Sequence, residues 1–149
     1  MKNLRDKEAK DELLARVNKL TPDTKPLWGK MNSTQVLRHM TMAVLTSTGD
    51  TKIAPVKSPM PKFLMKIFLL NMKPPKERAE TFKEMNMVTN GILPADFEAE
   101  RRNLQAAIEK VSQSQSFLPE TPMGIKFTST DWGKLVYNHT DHHLRQFGV

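Results

Sequence analysis

Three of the four histidines in this chain fall within five residues near the C-terminus, in the run Asn138-His139-Thr140-Asp141-His142-His143-Leu144-Arg145-Gln146. The fourth, His39, stands far upstream. His139 and His143 are four positions apart, so on a helix they share one face, about one turn from each other. Two imidazoles so placed can reach a single metal ion. A third nitrogen from another helix would complete a three-histidine site with open positions, the pattern of a reactive rather than a closed structural metal.

A helical wheel at about 100 degrees per residue sorts the rest of this segment. Trp132, Leu135, Val136 and Phe147 gather on one side, and Lys134, Asn138, Asp141 and Arg145 on the other. His139 and His143 straddle the centre of the apolar side, about 40 degrees apart. Gln146 lies near them, while His142 falls at the flank. Asp141 belongs to the solvent face, which argues against its being a general base. Interior imidazoles need partners for both nitrogens. Two readings therefore stand open for His139 and His143: each is hydrogen-bonded within the core, or both hold a metal. His39, beside Val36 and Ala43, reads alone as a core-edge histidine. It joins the site only if its helix lies beside the last one.

These histidines must be positioned by helices. Residues 6–20 carry an apolar stripe at Ala9, Leu13, Val17 and Leu20. A loop follows at residues 25–30, broken by Pro26 and Gly29, with Trp28 expected to anchor it in the core. Asn32 and Gln35 have capping-box spacing at the start of a second helix. Its buried stripe is Val36, Leu37, Met40, Ala43 and Val44, and Gly49 ends it. Prolines at 55, 59, 61, 74, 75 and 94 punctuate residues 50–95. That stretch leaves room for one short helix after Pro61, with Phe63, Leu64, Ile67, Phe68 and Leu70 expected to be buried against the bundle or a partner subunit. Residues 75–95 read as extended or looped. Asp96 caps a third long helix bearing Phe97, Arg101, Leu104, Ile108 and Val111. A polar linker at 112–124 precedes the last helix, residues 131–146, with Thr130 as its expected cap and Asp131 in its first turn. Four long helices without strand signals predict an all-α, antiparallel four-helix bundle, with a long proline-rich crossover between the second and third.

Composition narrows the chemistry. The chain has 149 residues and no cysteine. One domain over residues 1–149 is expected, stabilised by packing alone. Disulfides, thiol redox chemistry and a cysteine nucleophile are excluded. The first residues are charged and do not form a signal peptide, and the apolar-rich stretch 63–70 is too short for a bilayer. A cytoplasmic protein without a membrane partner is the expectation. The formal charge of +7 comes from lysines and arginines spread along the chain and interleaved with acids, and there is one tyrosine. A solvated basic surface is favoured over nucleic-acid binding. The ten methionines read as adaptable core filling. No Ser–His–Asp arrangement, Walker loop or dinucleotide glycine pattern is present.

Several segments together resemble the DinB-like (DNA-damage-inducible) superfamily of metal-binding four-helix proteins, in a branch of unassigned function. They are the stretch from Leu20-Thr21-Pro22-Asp23 to Lys25-Pro26-Leu27-Trp28-Gly29-Lys30-Met31, then Asp96-Phe97-Glu98-Ala99-Glu100-Arg101, Trp132-Gly133, and the run from His139 through Asp141-His142-His143-Leu144-Arg145-Gln146-Phe147-Gly148. The resemblance implies a left-handed set of four helices binding a divalent cation, usually zinc or nickel. One histidine would come from the second helix and an H-x-x-x-H pair from the last, which falls on His39, His139 and His143. Relatives of known activity include transferases using bacillithiol, mycothiol or glutathione, and a maleylpyruvate isomerase. The resemblance thus implies a metal-dependent transferase that uses a low-molecular-weight thiol cosubstrate on an electrophilic small molecule, with a homodimer as the expected assembly. No carboxylate lies on the buried face of the second or last helix to serve as base for water, and a thiolate needs none. A non-catalytic metal- or ligand-binding protein and a metal-dependent hydrolase are the alternatives.

Overall fold

The computed structural model describes residues 2–71, 82–89 and 94–149. Five α-helices dominate them: α1 (Lys7–Val17), α2 (Ser33–Thr46), α3 (Lys62–Asn71), α4 (Phe97–Gln113) and α5 (Ser129–Gln146). A 3-10 turn occupies Lys83–Met85. The described residues contain no strand; one isolated antiparallel bridge joins Glu120 to Lys126 ahead of α5. The regular elements of the described residues are all helical, as the periodicity predicts. No described helix is long and apolar enough to cross a membrane.

Local chemistry sets the helix ends. Asn32 and Gln35 form the expected reciprocal box: Gln35 N–H donates to Asn32 Oδ1 at 2.8 Å and Asn32 N–H to Gln35 Oε1 at 2.9 Å. Asp96 Oδ1 accepts from Ala99 N–H at 2.9 Å and caps α4. The cap of α5 is Thr128 and not Thr130. Thr128 Oγ1 accepts from Asp131 N–H at 3.1 Å, and Asp131 Oδ2 accepts from Thr128 N–H at 2.9 Å. This pair satisfies two otherwise orphan donors at once, which Thr130 without a matching acid three residues on would not do. The first helix ends at Val17, three residues earlier than its stripe suggests. Leu20 still reaches the core, because the chain tightens there: Leu20 N–H donates to Val17 O at 3.2 Å.

The four longer helices touch in a cycle, α1 against α4 and α5, and α2 against the same two. Leu13, Leu37, Met40, Leu104, Ile108 and Leu144 are fully buried between them. Polar ties add to the apolar contact. Arg16 bridges α1 to α5 through Asp141 at 2.7 Å and also donates to Val149 O at 2.8 Å. The N-terminal strand of chain lies directly on α5, where Leu4 N–H donates to Gly133 O at 3.0 Å. A β-carbon at Gly133 would collide with the Asn3 side chain. Glycine there permits the close approach.

Helix α3 lies on α5 and builds a second small core, in which Met65 and Leu70 meet Ile125, Phe127 and Trp132. Within the single chain the bundle covers only part of the apolar surface of α3. Phe63 is 67 % exposed and Ile67 54 % exposed. Apolar residues run almost the whole way round this helix, and one neighbouring helix covers only one side. Residues 72–81 and 90–93 lie outside the described part, and with them much of the stretch expected to be extended or looped. Residues 82–89 dock on α2, where Gln35 Nε2 donates to Met87 O at 3.0 Å. The linker expected at 112–124 starts later, since α4 runs through Gln113.

Replacing Leu104 with Ala should cost about 2–5 kcal/mol in urea unfolding. Replacing Phe63 with Ser should stay within about 0.5 kcal/mol of the parent. An equal loss for both would mean that the outer face of α3 is covered in solution.

Candidate metal centre

α2 and α5 pack against each other, and this brings His39 to the H-x-x-x-H pair. His39, His139 and His143 each offer one ring nitrogen, and these nitrogens all lie within 4.8 Å of one another. The ring centroids are 5.0 Å apart for His39 and His139, and 4.6 Å for both other pairs. The three residues singled out by sequence are thus brought together. His142 stays outside the cluster, half-buried, with its ring edge-on to Trp28 at a centroid distance of 5.9 Å. Trp28 is half-buried there and is not the core anchor expected of it. The loop lies along the end of α5, where Leu27 N–H donates to Gln146 O at 2.7 Å, and the indole meets His142 there.

Hydrogen bonds fix which nitrogen faces the centre. His39 Nδ1 lies 2.8 Å from Met85 O. A carbonyl only accepts, so Nδ1 carries the proton and Nε2 keeps a lone pair. His143 Nδ1 lies 2.7 Å from Gln146 Oε1, and Gln146 Nε2 donates to Trp28 O at 2.7 Å. That second bond identifies the oxygen of the amide, so His143 Nδ1 is also the protonated nitrogen. His39 Nε2 and His139 Nε2 are 3.2 Å apart. Two nitrogens at about 2.0–2.1 Å from a tetrahedral zinc stand about 3.3 Å from each other. The spacing therefore suits two ligands of one ion. His139 Nδ1 is buried without a hydrogen-bond partner among the described residues.

Burial controls protonation here. His39 is depressed below the ordinary histidine pKa by desolvation, partly offset by its bond to Met85 O. His139 is held well below it, by desolvation first and then by the neighbouring imidazoles. His139 as a whole keeps some exposed surface, but its ring is enclosed, and the ring determines the shift. His143 is lowered to about 3 by desolvation and by His39, against the opposing bond to Gln146. Three neutral imidazoles are the correct donor set for a divalent cation.

Among the described residues no carboxylate joins the histidines. Asp141 pairs with Arg16 and Arg145, which accords with its solvent-face placement. Glu100 is buried on α4, yet it does not belong to the histidine cluster; its Oε1 accepts from Ala95 N–H at 3.0 Å. A surface hollow of about 350 Å³ is lined by Lys2, Asp6, Glu8, Ala9 and Glu12, and no histidine borders it. Sequence reasoning did not assign roles to Met85 or Gln146. Gln146 was legible as a neighbour on the wheel, three positions after His143. Met85 acts through its backbone, which no residue type announces.

Comparison with known proteins adds the following. The model of a protein family of unknown function, DUF1569, matches residues 2–148. No curated protein matches, and no solved structure matches.

Each of the three histidines has a folded pKa below its unfolded value of about 6.5. Between those values the unfolded chain binds more protons, so stability should fall as pH drops below about 6.5. The decline should extend toward the value of about 3 held by His143. Urea midpoints of metal-free protein between about pH 7.5 and 5, above the carboxylate range, test this. Replacing His143 with Leu should flatten the slope, and a flat parent profile would mean the rings are not buried as neutral bases.

Proposed function

Because the chain belongs to the DUF1569 family, whose function is unknown, its role must be read from the site, and we propose a divalent-metal-binding protein of the DinB four-helix type with His39, His139 and His143 as ligands. Zinc or nickel is the metal that the DinB-like resemblance implies, and imidazole donors suit both. The observation that carries the reading is the convergence of the three ring nitrogens within 4.8 Å, two of them with their second nitrogen already committed.

We further propose that the protein is a transferase using a small thiol on an electrophilic small molecule. A divalent ion held by these three neutral imidazoles would keep its full charge and would supply the acidity that holds a bound thiol as thiolate. The chain's own residues do the positioning. Met85 O and Gln146 Oε1 hold two imidazoles with their lone pairs inward. A thiol is favoured over hydrolysis because no carboxylate joins the histidines among the described residues. A non-catalytic metal-binding protein is the second reading, and it is supported by the same cluster.

Zinc titration by calorimetry tests the site. His39→Ala, His139→Ala and His143→Ala should each weaken binding sharply, and His142→Ala by less than about 10-fold. If His142→Ala loses the metal while His143→Ala keeps it, the ligand set is wrong. If all four bind like the parent, the three-histidine site does not exist.

Cobalt-loaded protein tests the chemistry. Its visible spectrum should change when bacillithiol or another small thiol is added. A spectrum untouched by a panel of thiols would favour the non-catalytic reading.

A further inference from the structure

One side chain joins His143 to the loop at residues 25–30. We propose that Gln146 is the positioning residue for His143, and that the Trp28–Gly29 backbone sets Gln146 in turn, so that this loop tunes how tightly the site holds a divalent cation. The inference rests on the metal-binding reading above.

A primary amide has two unlike ends. Gln146 Nε2 donates to Trp28 O at 2.7 Å, which turns Oε1 toward His143 Nδ1, also at 2.7 Å. Rotating the amide by half a turn would set oxygen against the Trp28 carbonyl and an NH2 group against Nδ1. His143 would then have to bear its proton on Nε2, where the nitrogen could not act as a ligand. The loop carbonyl thus selects the amide orientation, and the amide selects the tautomer. Gln146 is 4 % exposed and His143 8 % exposed, so water is poorly placed to replace either bond.

The loop is built for this contact. Leu27 N–H donates to Gln146 O at 2.7 Å, fixing the main chain of the same residue. Gly29 has φ +85°, a conformation that side chains disfavour. A β-carbon there would run into Gln146 Nε2. Glycine at this position leaves the space that the amide fills. The other two histidines differ. His39 leans on the main-chain carbonyl of Met85, which has no second orientation to adopt. His139 Nδ1 has no such partner among the described residues. His143 is therefore the imidazole whose tautomer depends on a side chain governed from a separate loop.

Zinc calorimetry on Gln146→Leu, Gly29→Ala and the double variant tests the relay, alongside far-UV circular dichroism to confirm folding. Gln146→Leu should weaken zinc binding about 10–100-fold. Gly29→Ala should weaken it as well, although it touches no histidine. The double variant should bind no more than about 2-fold weaker than Gln146→Leu alone, because both changes break one chain of contacts. Fully additive losses would overturn the relay. Nitrogen-15 NMR of metal-free protein reads the tautomer directly: His143 should carry its proton on Nδ1 in the parent and lose that preference in Gln146→Leu. An unchanged tautomer overturns the proposal whatever zinc does. A tautomer change in Gln146→Leu, together with a parent that binds no zinc, would overturn the metal reading and leave the positioning role standing. Should Gln146→Leu fail to fold, Gln146→Glu replaces it. Its carboxylate still accepts from Nδ1 but cannot donate to Trp28 O, so Nδ1 should keep its proton even where the carboxylate favours imidazolium, and the sensitivity to Gly29→Ala should vanish. Retained sensitivity would overturn the link to the loop.

Discussion

An imidazole carries a donor and an acceptor into any interior it enters, and leaving either unmatched costs free energy of the same order as a lost hydrogen bond. Packing α2 on α5 gathers three imidazoles in one place. Much of the surrounding structure answers that demand. Residues 82–89 dock on α2 and supply a carbonyl to His39. The last turn of α5 supplies Gln146 to His143, and the loop after α1 supplies a carbonyl to Gln146. Segments far apart in sequence therefore converge on one polar cluster inside a helical interior.

The charged residues are arranged so as not to disturb that cluster. Acids are spent on ties between elements: Glu109 with Lys10 at 2.8 Å, Asp131 with Lys66 at 2.8 Å, and Asp141 with Arg16 at 2.7 Å. Such partly exposed pairs contribute modestly to stability. Their placement matters more, because a carboxylate beside the histidines would favour imidazolium and oppose the neutral form. Desolvation is left as the leading influence on all three rings, and it acts in the direction that keeps their lone pairs available.

The helical positions were the legible part of the sequence, because burial follows a period that residue types record. Ala9, Leu13 and Val17 line the inner face of α1, and Leu104, Ile108 and Val111 that of α4. The same periodicity set His139 and His143 inward and His142 aside. His39 was ambiguous until α2 met α5, since one helix cannot reveal its neighbour. Thr128 was missed as a cap because Thr130 also precedes the apolar run, and only the reciprocal bond with Asp131 separates them. Trp28, expected to anchor its loop in the core, is half-buried against His142 instead. For α3, apolar residues on every side carry no information about which side meets α5. Met85 lay beyond reach for a deeper reason, since its contribution is a main-chain atom common to every residue.

That last distinction bears on how such a site drifts over generations. The acceptor for His39 belongs to the peptide backbone at position 85, so point mutation of the codon leaves it in place. What would remove it is an insertion or deletion that shifts the segment along α2. The acceptor for His143 has the opposite sensitivity. A single base change at codon 146 can erase it, while a length change in the segment along α2 leaves it untouched. One cluster is thus exposed to two kinds of genetic error, each guarded against at a different histidine.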